Sequence, residues 1–176
     1  MTLQWIVTRG KLSLFLVLLL SSALFANRAH ADEAPLWVSV KRITLETASI
    51  IARRAIEVCR EEGVQVSVTV VDRAGAPQVM LRDVLAPEIS MTISEQKART
   101  ALSFNAKTSA LKGRFAEFGS IAKVKGLIFS AGGVPVNAAG RILGGVGVSG
   151  APSGALDEKC AQAGIDAIID ELEMAD

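Results

Sequence analysis

Val64-Gln65-Val66-Ser67-Val68-Thr69-Val70-Val71-Asp72, then Arg73-Ala74-Gly75-Ala76, then Pro77-Gln78-Val79-Met80-Leu81-Arg82, reads as two strands joined by a turn. Val64, Val66, Val68 and Val70 alternate with Gln65, Ser67 and Thr69, the period of a strand with one apolar face. Ala74-Gly75-Ala76 reverses the chain, and Pro77 is tolerated at the start of the returning strand. An antiparallel hairpin is therefore the seed of the fold.

Helices are expected on both sides of it. Thr44-Leu45-Glu46-Thr47 has the spacing of a capping box, with Thr47 a weaker partner than Glu or Gln. From there Ala48, Ile51, Ala55, Val58 and Cys59 fall on one helical face, and Gly63 closes the helix. After Pro87 a second helix runs to about Phe104. Its stripe is Ile89, Ile93, Lys97, Thr100 and Phe104, broadened by Ala98, Ala101 and Leu102. Thr108 can cap a short third helix through Phe115. Leu127 to Ala131 is an apolar strand ended by Gly132-Gly133. Val134-Pro135-Val136 and Arg141 to Val148 are two more strands around an Ala139-Gly140 turn. Ser153 or Gly154 opens a last helix carrying Leu156, Cys160, Ala163, Ala167 and Ile168. The expected order is α-β-β-α-α-β-β-β-α. Hairpins dominate, so the class is α+β, an antiparallel sheet with helices packed on it. Residues 43–176 form one domain, preceded by a lead-in at 32–42 with Trp37 as a packing anchor.

Residues 1–31 read as a secretory signal. Arg9 and Lys11 make a positive start, Leu12 to Ala26 is uncharged, and Ala29-His30-Ala31 is a cleavage site before Asp32. Fifteen residues of helix span about 22 Å, short of the roughly 30 Å of a bilayer core, so a cleaved leader is favoured over an anchor. The mature chain is then periplasmic or secreted, with no membrane contact. The full chain has 176 residues, 19 Lys+Arg against 18 Asp+Glu, and one His. That balance is too even for nucleic-acid binding by charge. Cleavage removes Arg9, Lys11 and Arg28, which tips the remainder slightly acidic, and removes His30. Ser-His-Asp and Cys-His nucleophiles, His-ligated zinc and a proximal histidine for haem are thereby excluded.

Few groups remain that could carry chemistry. Gly145-Val146-Gly147-Val148-Ser149-Gly150 spells a G-x-G-x-x-G at a strand end. A dinucleotide site needs a further strand with an acidic end, whereas Asp170 and Glu171 fall inside the last helix. These glycines instead let a backbone or ligand come close, and an oligomer interface is expected there. Cys59 and Cys160 lie in packing stripes, which favours two buried free thiols, although sequence alone does not settle a disulfide. Asp72, Arg82 and Asp83 at the strand ends are either solvated charges or a carboxylate clamp, with Arg82 as the two-pronged contact. Lys97 and Thr100 interrupt an apolar stripe, so they either line a pocket or mark its edge. Met91 is a thioether or simply core.

Several motifs then resemble the GlcG/HbpS family of small haem-binding proteins. They are Leu45 to Ala48, Val70-Val71-Asp72 with Gly75, and Arg82-Asp83. Lys97-Ala98-Arg99-Thr100-Ala101 with Phe104 and Thr108-Ser109 follows, then Gly132-Gly133-Val134-Pro135 with Gly140 and the run Gly144 to Gly150, and finally Asp157, Cys160-Ala161 and Ala163-Gly164. The resemblance spans about residues 43 to 172. It implies a profilin-like α+β fold, a homo-oligomer, and binding of haem or a related tetrapyrrole, with a sensor or transport partner for exported members. Cys160 sits where cytoplasmic members also carry the motif, in keeping with a free thiol. The family's haem-associated threonine maps to Thr100, the candidate for haem iron. Around it, Lys97, Phe104, Ile93, Arg99 and Met91 are the candidate haem-binding residues. Met80, Met174, Cys59 and Cys160 complete the available ligands once His30 is gone. The expected function is an exported tetrapyrrole binder, scavenging or accessory to a sensor, without a histidine ligand and more binder than enzyme. The alternatives are a small-carboxylate protein, with Arg82 or Arg99 holding the acid and Asp72 or Lys97 as acid/base, or a non-catalytic oligomeric accessory.

Overall fold

The computed structural model describes residues 35–113 and 119–175. The expected signal at 1–31 and the end of the expected third helix lie outside these residues. Residues 35–40 belong to a unit separate from the compact one, which begins at Lys41, and carry no helix or strand. Trp37 is 80% exposed and does not serve as a packing anchor.

The compact unit runs α1 (Leu45–Glu61), β1 (Ser67–Asp72), β2 (Pro77–Arg82), α2 (Ile89–Phe104), two short 3₁₀ turns (Thr108–Leu111 and Ile121–Lys123), β3 (Gly133–Ala138), β4 (Arg141–Ser149), α3 (Gly154–Asp166) and α4 (Ile169–Met174). The Thr44 hydroxyl accepts from the Thr47 N–H and starts α1, and Ser153 caps α3 in the same way through the Leu156 N–H. The sheet has four strands in the order β2-β1-β4-β3, with every neighbouring pair antiparallel. The fold is α+β. Among the described residues no helix is long and apolar enough to cross a membrane.

Two of the expected elements need correction. Leu127–Ala131 is not a strand. The Ile128 N–H bonds to the Thr100 hydroxyl at 2.9 Å, so this segment is bound to the side of α2 and does not join the sheet. Thr108 starts only one 3₁₀ turn where a helix was expected.

The two faces of the sheet differ in kind. On one, Val68, Val70, Val134, Val136, Val146 and Val148 form the apolar core with α1 and α3. Cys59 of α1 and Cys160 of α3 are joined there by a disulfide, with Cα atoms 5.6 Å apart. That overturns the reading of two free thiols: a shared packing stripe is also what brings two cysteines within bonding range. Both are consequently lost as iron ligands.

The other face is small and polar, and α2 lies directly on it. Ser67 and Thr69, which alternation would leave in solvent, are fully buried. Each pairs its hydroxyl with one on α2, Ser67 with Ser90 and Thr69 with Ser94, both at 2.7 Å. Neutral hydroxyls can be buried at modest cost when they satisfy each other. Beside them in register stand Gly147, opposite Thr69, and Gly145, opposite Val71. A Cβ on Gly145 would lie 2.5 Å from the Ala98 carbonyl oxygen, and one on Gly147 would collide with the Ser94 carbonyl. The glycine-rich strand thus receives the backbone of the chain's own helix. The expectation that these glycines meet a neighbouring chain is corrected accordingly.

Candidate functional site

Helix α2 positions most of the residues singled out from the sequence, and divides them between its faces. Lys97 points inward. Its ammonium donates to Asp157 Oδ2 at 2.7 Å and to the Val148 carbonyl at 2.9 Å. Asp157, in the first turn of α3, accepts the Ala151 N–H on its other oxygen at 3.0 Å. Burial pushes the Asp157 carboxyl above the usual aspartate range, against the downward pull of Lys97 and the Ala151 N–H. Gly132 (φ +124°) passes so close that a Cβ would sit 2.7 Å from Lys97 Nζ and 2.8 Å from the Asp157 Cβ. One ion pair thereby ties α2, β4 and α3 together.

Thr100 is fully buried. Its hydroxyl donates to the Gln96 carbonyl at 2.7 Å and accepts the Ile128 N–H. Phe104 packs against Phe129, ring centroids 5.5 Å apart. These two contacts pin residues 127–129 to α2. Met91 and Ile93 are half-buried on the same helix.

Arg99 lies elsewhere on α2 and borders a cleft of about 550 Å³. Leu102 and Ser103 of α2, Arg73 to Gly75 of the first hairpin, Val124 to Leu127 and Ile142 complete its walls. Three cations converge there: Arg73, Arg99 and Lys125. Arg73 is braced by donating to the Ile142 carbonyl at 2.5 Å. Arg99 pairs with Glu95, one helical turn away, at 2.7 Å, while its Nε–H is shielded from solvent and has no acceptor. Leu102, Leu127 and Ile142 give the cleft a half-buried apolar wall.

The first hairpin separates the residues of the expected clamp. Asp72 accepts the Ala74 and Ala76 N–H groups of its own turn and a long contact from Arg42 at 3.4 Å. Arg82 is exposed and donates to the Ala86 carbonyl at 2.7 Å. The two-pronged contact does form, but Arg60 makes it, holding both oxygens of Asp83 at 2.7 and 2.9 Å and keeping that carboxyl below its usual range. Arg82 lies beside this pair, in a recess of about 230 Å³.

A family model described as haem degrading protein HbpS-like matches residues 43–166, from just before α1 to the end of α3. The chain belongs to this family. Streptomyces reticuli HbpS, solved as a double mutant, is 42% identical, with 78% of this chain and 94% of that one covered and a TM-score of 0.74. The Klebsiella pneumoniae protein ORFY is 29% identical, with coverage of 76% and 94% and a TM-score of 0.71. PduOC, solved as a haem complex, is 28% identical, with coverage of 73% and 96% and a TM-score of 0.68. No curated protein matches the chain.

Sequence reading of this HbpS-like domain singled out Lys97, Thr100 and Arg99 but not the groups that they meet. A lysine in an apolar stripe requires a buried counter-charge, yet which of 18 acidic residues supplies it is a matter of tertiary position. Arg73 and Lys125 carried no local signal, since a cation in a turn or loop is ordinarily solvated.

Proposed function

We propose that this protein is an exported binder of haem or a related tetrapyrrole, serving scavenging or a sensing partner and holding its ligand without histidine. The observation that carries the reading is the cleft beside α2. Its size suits a small-molecule site, usually about 300–1,000 Å³, and an apolar wall faced by cations matches a flat apolar ring with acidic edges. Membership of the HbpS-like family and the haem complex of the related PduOC support the ligand class. Export is supported by the Cys59–Cys160 disulfide, a bond that persists in oxidising compartments, and by the leader-like residues 1–31. His30 leaves with that leader, which makes the mature chain histidine-free.

The site residues fall into two roles. Arg99, with Arg73 and Lys125, would meet the acidic edge of the ring. Thr100, Lys97 and Phe104 hold the wall and helix that shape the cleft, with Ile93 and Met91 on the same helix. A homo-oligomer is part of the proposal: Val84, Leu85 and Ile89 form an exposed apolar group after β2, the kind of surface a second copy covers.

Mature protein beginning at Asp32, titrated with haemin, should give a saturable Soret shift of micromolar affinity and a high-spin or mixed spectrum. No shift removes the tetrapyrrole reading. The same cations would then favour small-carboxylate binding, measurable by calorimetry with glycolate-like acids. Light scattering tests the oligomer.

A further inference from the structure

The cleft contains a strong charge signal and a weak metal-ligating one. Of its described lining residues, Ser103 alone offers a side-chain oxygen, and none offers an imidazole, thiolate or thioether. Thr100 spends its hydroxyl on Gln96 and Ile128, the cysteines are bonded to each other, and Lys97 is held by Asp157. Against this stand Arg73, Arg99 and Lys125. No carboxylate is among the described lining residues, and Glu95 offsets only Arg99. Two positive charges are left to be matched, together with an Arg99 Nε–H that lacks an acceptor.

We propose that this cleft recognises its ligand through the paired carboxylates on one edge of a tetrapyrrole, and is indifferent to the metal at the ring's centre. The inference rests on the tetrapyrrole reading above and deepens it: the acidic edge of the ring sets affinity, and the central metal does not. An isolated, exposed ion pair binds weakly. Three cations converging on a dianion are a stronger case, because guanidinium groups grip carboxylates in two-pronged fashion and the apolar wall of Leu102, Leu127 and Ile142 displaces water from one side. A dianion of matching charge satisfies the site. A neutral ring of the same shape leaves the cations facing apolar surface.

The experiment compares three ligands on mature, disulfide-bonded protein: haemin, metal-free protoporphyrin IX and its dimethyl ester, followed by absorbance and by quenching of porphyrin fluorescence. Haemin and protoporphyrin IX should bind within about threefold of each other, and the ester at least about tenfold more weakly. Arg73→Ser with Lys125→Ser, both at exposed positions, should weaken both acids about tenfold or more, whereas Lys112→Ser outside the cleft should not. Near-UV circular dichroism verifies that the double variant is folded. If haemin binds but protoporphyrin IX does not, or the ester binds as well as the acid, the inference is overturned while the tetrapyrrole reading stands. If no porphyrin binds at all, both fall together.

Discussion

Lys97 and Asp157 stand sixty residues apart in sequence and meet at 2.7 Å, with side chains only 4% and 5% exposed. The pair joins the helix that covers the polar face of the sheet to the helix that covers its apolar face. A buried pair of this kind need not stabilise more than a well-packed apolar pair would, but losing one partner strands a charge.

The first prediction concerns that asymmetry. Lys97→Met and Asp157→Leu should each destabilise the domain by about 3–5 kcal/mol. The double substitution Lys97→Met with Asp157→Leu should cost clearly less than the sum, because no unpaired charge remains. Urea denaturation of the four proteins measures the coupling. Additive losses would show that the pair does not act as a unit.

Two aspartates should give opposite pH signatures. The Asp157 carboxyl is raised by burial, so the native state holds its proton above the ordinary value of about 3.9. Its contribution to stability is complete below that value and is lost as pH rises through the raised one. Asp83 is lowered, first by its hydrogen bonds from Arg60. Its contribution is present above about pH 3.9 and is lost as pH falls through the lowered value. In urea midpoints followed from pH 2 to 7, Asp83→Asn should flatten the acid loss, and Asp157→Asn should remove a component that declines with rising pH.

Gly147→Ala should destabilise the domain by roughly 3 kcal/mol or more, since its Cβ meets the Ser94 carbonyl and the Ala98 backbone nitrogen of the helix packed on it. Gly140→Ala is the control. It has a positive φ, +68°, which Gly147 does not, but open space around it, so about 1 kcal/mol is expected. Denaturation at two protein concentrations distinguishes this from an oligomer contact: the loss from Gly147→Ala should be the same at both.

The Cys59–Cys160 bond closes a loop with a sequence separation of 101. Removing it with Cys59→Ala and Cys160→Ala should cost about 2–5 kcal/mol. Native protein should show no reactive thiol before reduction, and reductant should lower the melting temperature of wild type but not of the double variant. Two thiols titrating in native, oxidised protein would contradict the bond.

Loss of the Thr100 hydroxyl should act on the cleft at a distance. Thr100→Val leaves the Ile128 N–H without its acceptor, at a cost of about 1–3 kcal/mol. It frees the wall that Phe104 and Phe129 help to hold, so haemin affinity should fall together with stability. Phe104→Ala should lower affinity further. Unchanged haemin affinity in both variants would separate this wall from the ligand.

Much of the fold follows from local pattern alone. Alternating valines and a Gly-containing turn made the first hairpin, helical stripes placed α1, α2 and α3, with a threonine cap on α1 and a serine cap on α3, and the motifs from Leu45 to Gly164 carried the family. These are short-range effects, written within one or two turns of helix or a single strand. Tertiary structure decided the remainder. Ser67 and Thr69 read as a solvent face until Ser90 and Ser94 arrive to pair with them. Gly145 and Gly147 read as an opening for another chain until the carbonyls of α2 fill it. Leu127 to Ala131 has the composition of a strand but finds its partner in the Thr100 hydroxyl. Whether Cys59 and Cys160 bond, which acid answers Lys97, and which cations gather around Arg99 all depend on distances between residues remote in sequence. Side-chain type fixes what each of these groups can bind, and only the packing of the helices on the two faces of the sheet fixes what each one meets.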